Sequence, residues 1–204
     1  MSLLEACGSN GGNQPAGSGA ASGGNGNTIK IGYVGPISGV LSHFCVGIDR
    51  CIELVSAKMN EAGYDIGGTN YKIEIIKGDT ESDASKATEV ATKLVTNEKV
   101  DLLVGQWCPE TVNPVSAVAE KYGVPCIVSG SPDTSWVEGG PYEWSYGFMI
   151  PYEDQIETYF DYFDTINTNK KIGLVLDKSV DGIGLLNIIV PMAESRGYTC
   201  VNTS

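Results

Sequence analysis

Positive charge is scarce in this sequence. Lys and Arg number 13 against 25 Asp and Glu, for a formal net charge of −12 over 204 residues. That balance argues against a nucleic-acid partner, whose phosphates need neutralising, and against a basic patch held to anionic lipid. No apolar run approaches the eighteen or so residues of a membrane span. Histidine occurs once, at His43, with no Ser or Cys partner at a suitable spacing. An exposed residue of a ligand cleft, in the loop after the first strand, is the expected role for it. The six cysteines (Cys7, Cys45, Cys51, Cys108, Cys126, Cys200) form no Cys-x-x-Cys pair and no His/Cys cluster, so no metal site is expected. Cys45 and Cys51, six apart on one helical stretch, point to different sides and should not pair. Cys51 and Cys126 read as buried thiols acting as small hydrophobes. There is no Gly-x-Ser-x-Gly elbow, no phosphate loop, and no Gly-x-Gly-x-x-Gly after a strand. Neither catalysis nor a cofactor is expected.

What is present is a repeating α/β rhythm that starts at Ile29–Gly39. Ile31, Tyr33 and Val34 form a strand that Gly35-Pro36 stops. Pro36 to Phe44 is the loop leading to a helix over 44–62, with Ile48, Ile52, Val55 and Met59 on one face and Gly63 beyond its end. Asp65 to Gly68 is a turn, and Tyr71 to Ile76 a second strand closing at Gly78-Asp79. Ser82 or Asp83 caps a helix with Ala87, Val90, Ala91 and Leu94 inward. Asp101–Gly105 is wholly apolar after its Asp, as suits a strand buried on both faces. Pro109 opens a helix that Gly123 ends, and Val124–Ser129 is the fourth strand. Right-handed crossovers then give a parallel open sheet with helices on both faces.

Residues 130–145 read as a long loop, and Ser145–Ile150 as a strand crossing out of this first lobe (29–145). A second lobe (146–204) opens with a helix after Pro151, its apolar face Ile156, Tyr159, Phe160, Phe163 and Ile166. A strand at Lys171–Leu176, a helix from Asp181-Gly182 to about Arg196 and a strand at Tyr198–Val201 follow. Pro191 is expected to kink or break that helix. Two strands cannot bury their faces alone, so the second lobe reads as incomplete.

Upstream, residues 8–27 are a Gly/Ser/Asn tract, a flexible tether spanning about 25 Å. Leu4-Glu5-Ala6-Cys7 before it is similar to a bacterial lipoprotein cleavage box, which would put a lipid on Cys7. The alternative is a chance cysteine in a tail.

The ordered set Ile31–Gly39, Gly67-Gly68, Asp79, Val104-Gly105 and Gly123–Ser129 resembles the substrate-binding proteins of ABC transporters for branched-chain amino acids and amides. The resemblance covers residues 29–201 and implies a two-lobed type I periplasmic-binding fold. It further implies a small amino-acid-like or amide-like solute in the interlobe cleft, a membrane permease as partner, and an extracytoplasmic location. By position it implies Phe44 as an aromatic wall, Trp107, Cys108 and Pro109 as the loop after strand three, and Ser129, Gly130 and Ser131 as the loop after strand four. Asp181 falls where lobe two offers an aromatic. Pro109 has no N–H to give a carboxylate, and Asp181 adds negative charge. Both departures point to a flatter, larger or cationic solute, met by Phe44, Trp107 and Trp136.

Each residue also has a plainer reading. Phe44 also reads as the first apolar residue of its helix, Trp107 as core, Ser129 and Ser131 as turn residues, and Asp181 as a helix cap. Tyr152 and Tyr159 are expected to pack the lobe. A ligand-sensing receptor domain of the same fold, or a flavodoxin-like module, are the rival functions.

Overall fold

The structure, a computed structural model, describes residues 27–105, 108–130 and 134–201. Cys7 and residues 8–26 of the tether lie outside the described residues, as do Trp107 and Ser131.

Strand β1 (Thr28–Gly35) sits inside the main sheet, with β3 (Thr69–Asp79) parallel on one side and β4 (Leu102–Gly105) parallel on the other. Beyond β4 come β5 (Cys126–Val128) and β6 (Ser145–Gly147), both parallel. A short β2 (Tyr64–Ile66) adds antiparallel to β3, so the order is β2-β3-β1-β4-β5-β6. The five parallel strands leave β1 in opposite directions, which puts a topological switch between β1 and β4.

Alternation along the strands decides which helix lies on which face. A Cβ on Gly32 would meet Leu94 and Leu103, and one on Gly78 would lie 2.2 Å from Val90. Those positions therefore face α2 (Ala84–Thr96), which Asp83 caps by accepting the Lys86 N–H. Helix α3 (Pro109–Tyr122) packs beside α2. Together they close a core of Val34, Ala91, Leu94, Leu103, Val112, Val115 and Val128. The intervening residues Ile31, Tyr33, Ile75 and Val104 look the other way, toward α1 (Ser42–Ala62). Helix α1 covers that face only in part. A groove of about 600 Å³ runs between it and the sheet, and Ile127 and Tyr146 are 39% and 61% exposed.

The second unit pairs β7 (Lys171–Gly173) with β8 (Thr199–Val201) in parallel. It packs α5 (Tyr152–Asp164) and α6 (Val180–Ser195) around Ile156, Phe160, Ala193 and Tyr198.

Several expectations need correction. The turn at 65–68 is the tip of a hairpin: Gly67 and Gly68, both at positive φ, join β2 to β3. The stretch 130–145 is not one loop, since it holds α4 (Thr134–Glu138). β6 pairs with β5, so the first sheet extends past residue 145 and the strand does not cross out of it. Helix α6 runs on through Pro191, because Met192 and Ala193 beyond it pack into the core. Tyr159 and Ile166 are exposed, leaving Ile156 and Phe160 as the buried edge of α5. Cys51 is exposed rather than buried, whereas Cys126 is fully buried.

Candidate functional site

The carboxyl ends of β1, β3, β4 and β5 lie side by side, in register at Gly35 with Asp79, Val34 with Gly105, and Gly105 with Val128. The loops that leave them form one rim. A glycine closes β1 and another closes β4 for steric reasons. A Cβ on Gly35 would strike the Tyr33 ring, and Gly105, at φ +113, lies against the Val34 carbonyl.

Cys108, Ser129 and Gly130 are brought together at the β4 and β5 ends. Ser129 donates both its N–H (3.1 Å) and its hydroxyl (2.8 Å) to the Gly105 carbonyl, so its hydroxyl hydrogen is engaged and the oxygen is left with acceptor lone pairs. Cys108 is buried at the start of α3, its Sγ 3.3 Å from Thr111 Oγ1. Thr111 and Val112 both donate to the Cys108 carbonyl. Pro109 takes the first helical position, where a missing N–H costs the helix nothing.

Gly130 lines a small cavity of about 170 Å³ with Val128, Trp136, Gly147, Met149 and Pro151. Trp136 is fixed there on three sides. Its indole N–H donates to Ser116 Oγ (2.8 Å), Tyr142 stacks on its face at 4.7 Å, and its ring edge fills the space a Cβ on Gly147 would need.

Phe44, 44% exposed, lies at one end of the groove beside α1, its ring 4.1 Å from that of the exposed His43. Asp181 belongs to the second unit, in the first turn of α6, where the Tyr152 hydroxyl donates to it at 3.2 Å. Ser179, not Asp181, caps that helix by accepting the Gly182 N–H.

Sequence reading missed the side chains that hold the first loop. Asp79 Oδ1 accepts the N–H groups of Ser38 (3.0 Å) and Glu81 (2.9 Å). Burial pushes the Asp79 carboxyl up, but the Ser38 hydroxyl and the N–H groups of Glu81, Ser38 and Ile37 outweigh it and hold the group below its ordinary 3.8. An Asp closing a strand was the available signal.

A doubly wound sheet whose strand order reverses above a rim of loops is a ligand-binding architecture. The sequence profile of the "Periplasmic binding protein" family matches residues 28–204, and the chain belongs to that family. An "Amino acid binding protein" of Pseudomonas aeruginosa is 28% identical over 159 residues, covering 77% of this chain and 41% of that relative. The "Leu/Ile/Val-binding protein homolog 6" of Brucella abortus is 28% identical over 128 residues, 60% of this chain and 30% of the relative. Among solved structures, the substrate-binding protein LivJ of a branched-chain amino acid transporter from Streptococcus pneumoniae, in complex with isoleucine, aligns with a TM-score of 0.70. It is 25% identical, with 86% of this chain and 48% of that one covered. The chain thus spans less than half the length of these relatives.

Proposed function

We propose that this protein is the solute-binding component of an ABC importer. It takes a small amino-acid-like or amide-like solute into a cleft between two α/β units and presents it to a membrane permease. The observation that carries the reading is the shared rim: four parallel strands end together where the strand order reverses, and the start of α3 opens onto it. Family membership and the isoleucine-bound relative support a solute of amino-acid size.

On this reading the residues that meet the solute are Phe44, Trp107, Cys108, Pro109, Ser129, Gly130 and Ser131 from the first unit and Asp181 from the second. Ser129, its hydrogen given to Gly105, offers acceptor lone pairs that suit a donor such as an ammonium or amide N–H. Asp181 brings negative charge to the same kind of partner. Closure about a hinge makes the form that the permease recognises. No chemical step is required. The Gly/Ser/Asn tract and a lipid on Cys7 hold the protein at the outer face of a membrane.

Isothermal titration of the complete protein against L-amino acids, amides, ureas and aromatic acids tests this. The expected result is one class binding with micromolar or tighter affinity. No binding across the panel, together with turnover of any compound in it, overturns the reading.

A further inference from the structure

Two neighbouring loops are tied together by side chains that the solute reading does not use. The loop after β1 (36–41) and the loop after β3 (80–83) leave the sheet side by side, since Gly35 and Asp79 are in register. From β3, Asp79 Oδ1 accepts one N–H from each loop, Ser38 and Glu81. Ser82 completes the tie with a single hydroxyl that donates to the Ser38 carbonyl (3.1 Å) and accepts the Leu41 N–H (3.1 Å). The two backbones approach closely at Gly39. Gly39 sits at φ +86, and a Cβ there would lie 2.4 Å from the Glu81 carbonyl oxygen.

This contact is held against local preference. Glu81 and Ser82 both adopt the left-handed region, at φ 51 and 62, which side chains other than glycine rarely occupy. Backbone kept in such a region persists only where its surroundings over-determine it. Helix α1, which follows directly at Ser42, has no side-chain cap of its own at Leu41. Its entry is fixed by Ser82, 41 residues away. The loop so held carries Val40 out to 83% exposure and leads into Phe44.

We propose that Asp79 and Ser82 are positioning residues that keep the first loop in its solute-receiving shape. They set affinity by pre-organisation, acting through the loop rather than on the solute. The inference rests on the solute-binding reading above.

Three substitutions in the complete protein test it. Asp79→Ala removes the shared acceptor, whereas Asp79→Asn keeps an oxygen that can take both N–H groups. Ser82→Gly removes the hydroxyl while suiting a positive φ, so any loss cannot be charged to backbone strain. The readouts are amide hydrogen exchange at Ser38 and Leu41, affinity for L-isoleucine as the probe, and melting temperature. Asp79→Ala and Ser82→Gly are expected to speed exchange at both amides by about tenfold and to weaken isoleucine binding by about tenfold. Asp79→Asn should stay within about threefold on both counts, and Ser82→Gly should leave the melting temperature unchanged. Unchanged exchange in the Ala and Gly variants overturns the inference. So does faster exchange with isoleucine affinity intact. A wild-type protein that binds nothing in the titration panel overturns the solute reading instead, and the exchange data then decide by themselves whether these residues hold the loop.

Discussion

The two α/β units shield their strands in different ways. In the first unit β1, β4 and β5 each have a strand on both sides. Their α2-facing side chains meet a helix pair across a continuous core from Val34 to Val128. In the second unit β7 and β8 pair only with each other among the described residues, and Val175 just beyond β7 is 99% exposed. Order there comes from α5 and α6. Phe160 lies edge-on to Phe163 and Tyr198, at 6.0 and 5.4 Å, and Ala193 closes the contact. A sheet with neighbours on both sides is stable through its strands, whereas a two-stranded one depends on the helices laid over it.

The sharpest way to break this comparison is to truncate one core residue in each unit. Phe160→Ala is expected to cost about 3–5 kcal/mol and Leu103→Ala about 2–5 kcal/mol. The distribution matters more than the size. Native-state hydrogen exchange should show Phe160→Ala releasing β7 and β8 while β1 and β4 stay protected. Leu103→Ala should lower protection across the whole first sheet. If Phe160→Ala exposed β1 equally, the units would fold as one and the contrast would fail.

A finer test concerns the well-covered face. Val90 stands where a Cβ on Gly78 would lie, at 2.2 Å, and a β-branched side chain on a helix has little freedom to turn away. Gly78→Ala is expected to cost about 1–3 kcal/mol in urea unfolding. Gly173→Ala, with nothing within 4 Å of its added methyl, should be close to neutral. Equal effects would mean that both sheets are equally loosely covered.

What sequence could supply follows the same division. The apolar run of β4, the Asp83 cap and the left-handed Gly123 after α3 are local signals, and each element lies where they put it. Strand β2 was less legible, because Tyr64–Ile66 is exposed throughout and only its pairing with β3 makes it a strand. Pro191 misled for the opposite reason. The local penalty of a proline is outweighed by the packing of Met192 and Ala193. At the rim, the family resemblance put Cys108 after the third parallel strand and Ser129 and Gly130 after the fourth, and they follow β4 and β5 in the structure. The bonds that shape the rim were out of reach, since Ser38 to Asp79 spans 41 residues and Ser129 to Gly105 spans 24. Such pairs meet only once register is set.

A smaller effect separates the first unit from acid. Burial pushes the Glu120 carboxyl up, but the N–H groups of Glu143, Trp144 and Ser145 outweigh it and hold it below its ordinary 4.5. Glu120 thereby pins the chain entering β6 to α3, at 2.9 Å to both Glu143 N and Trp144 N. A carboxyl depressed on folding contributes stability that is complete above 4.5 and is lost as pH falls through its folded value. Glu120→Ala is expected to cost about 1 kcal/mol at pH 7. The gap from wild type should shrink as titration passes below 4.5. A gap independent of pH would assign the loss to packing.

The smallest effect is expected on the surface of the second unit. Arg196 reaches Glu157 (3.3 Å), Asp161 (2.5 Å) and Asp164 (3.4 Å), and Asp164 also takes the Lys170 ammonium and the Tyr198 hydroxyl. The cluster has many partners, yet the acids it gathers on α5 stand in water, where solvent screens each pair and side-chain ordering offsets most of the attraction. Arg196→Met keeps much of the apolar stem and removes the charge. Its melting temperature should fall by no more than about 2 °C at low salt. The difference should vanish near 1 M salt, where the screening length is about 3 Å. A larger, salt-resistant loss would mean that this unit is held by its charges and not by the Phe160 core, and the comparison between the two units would have to be drawn again.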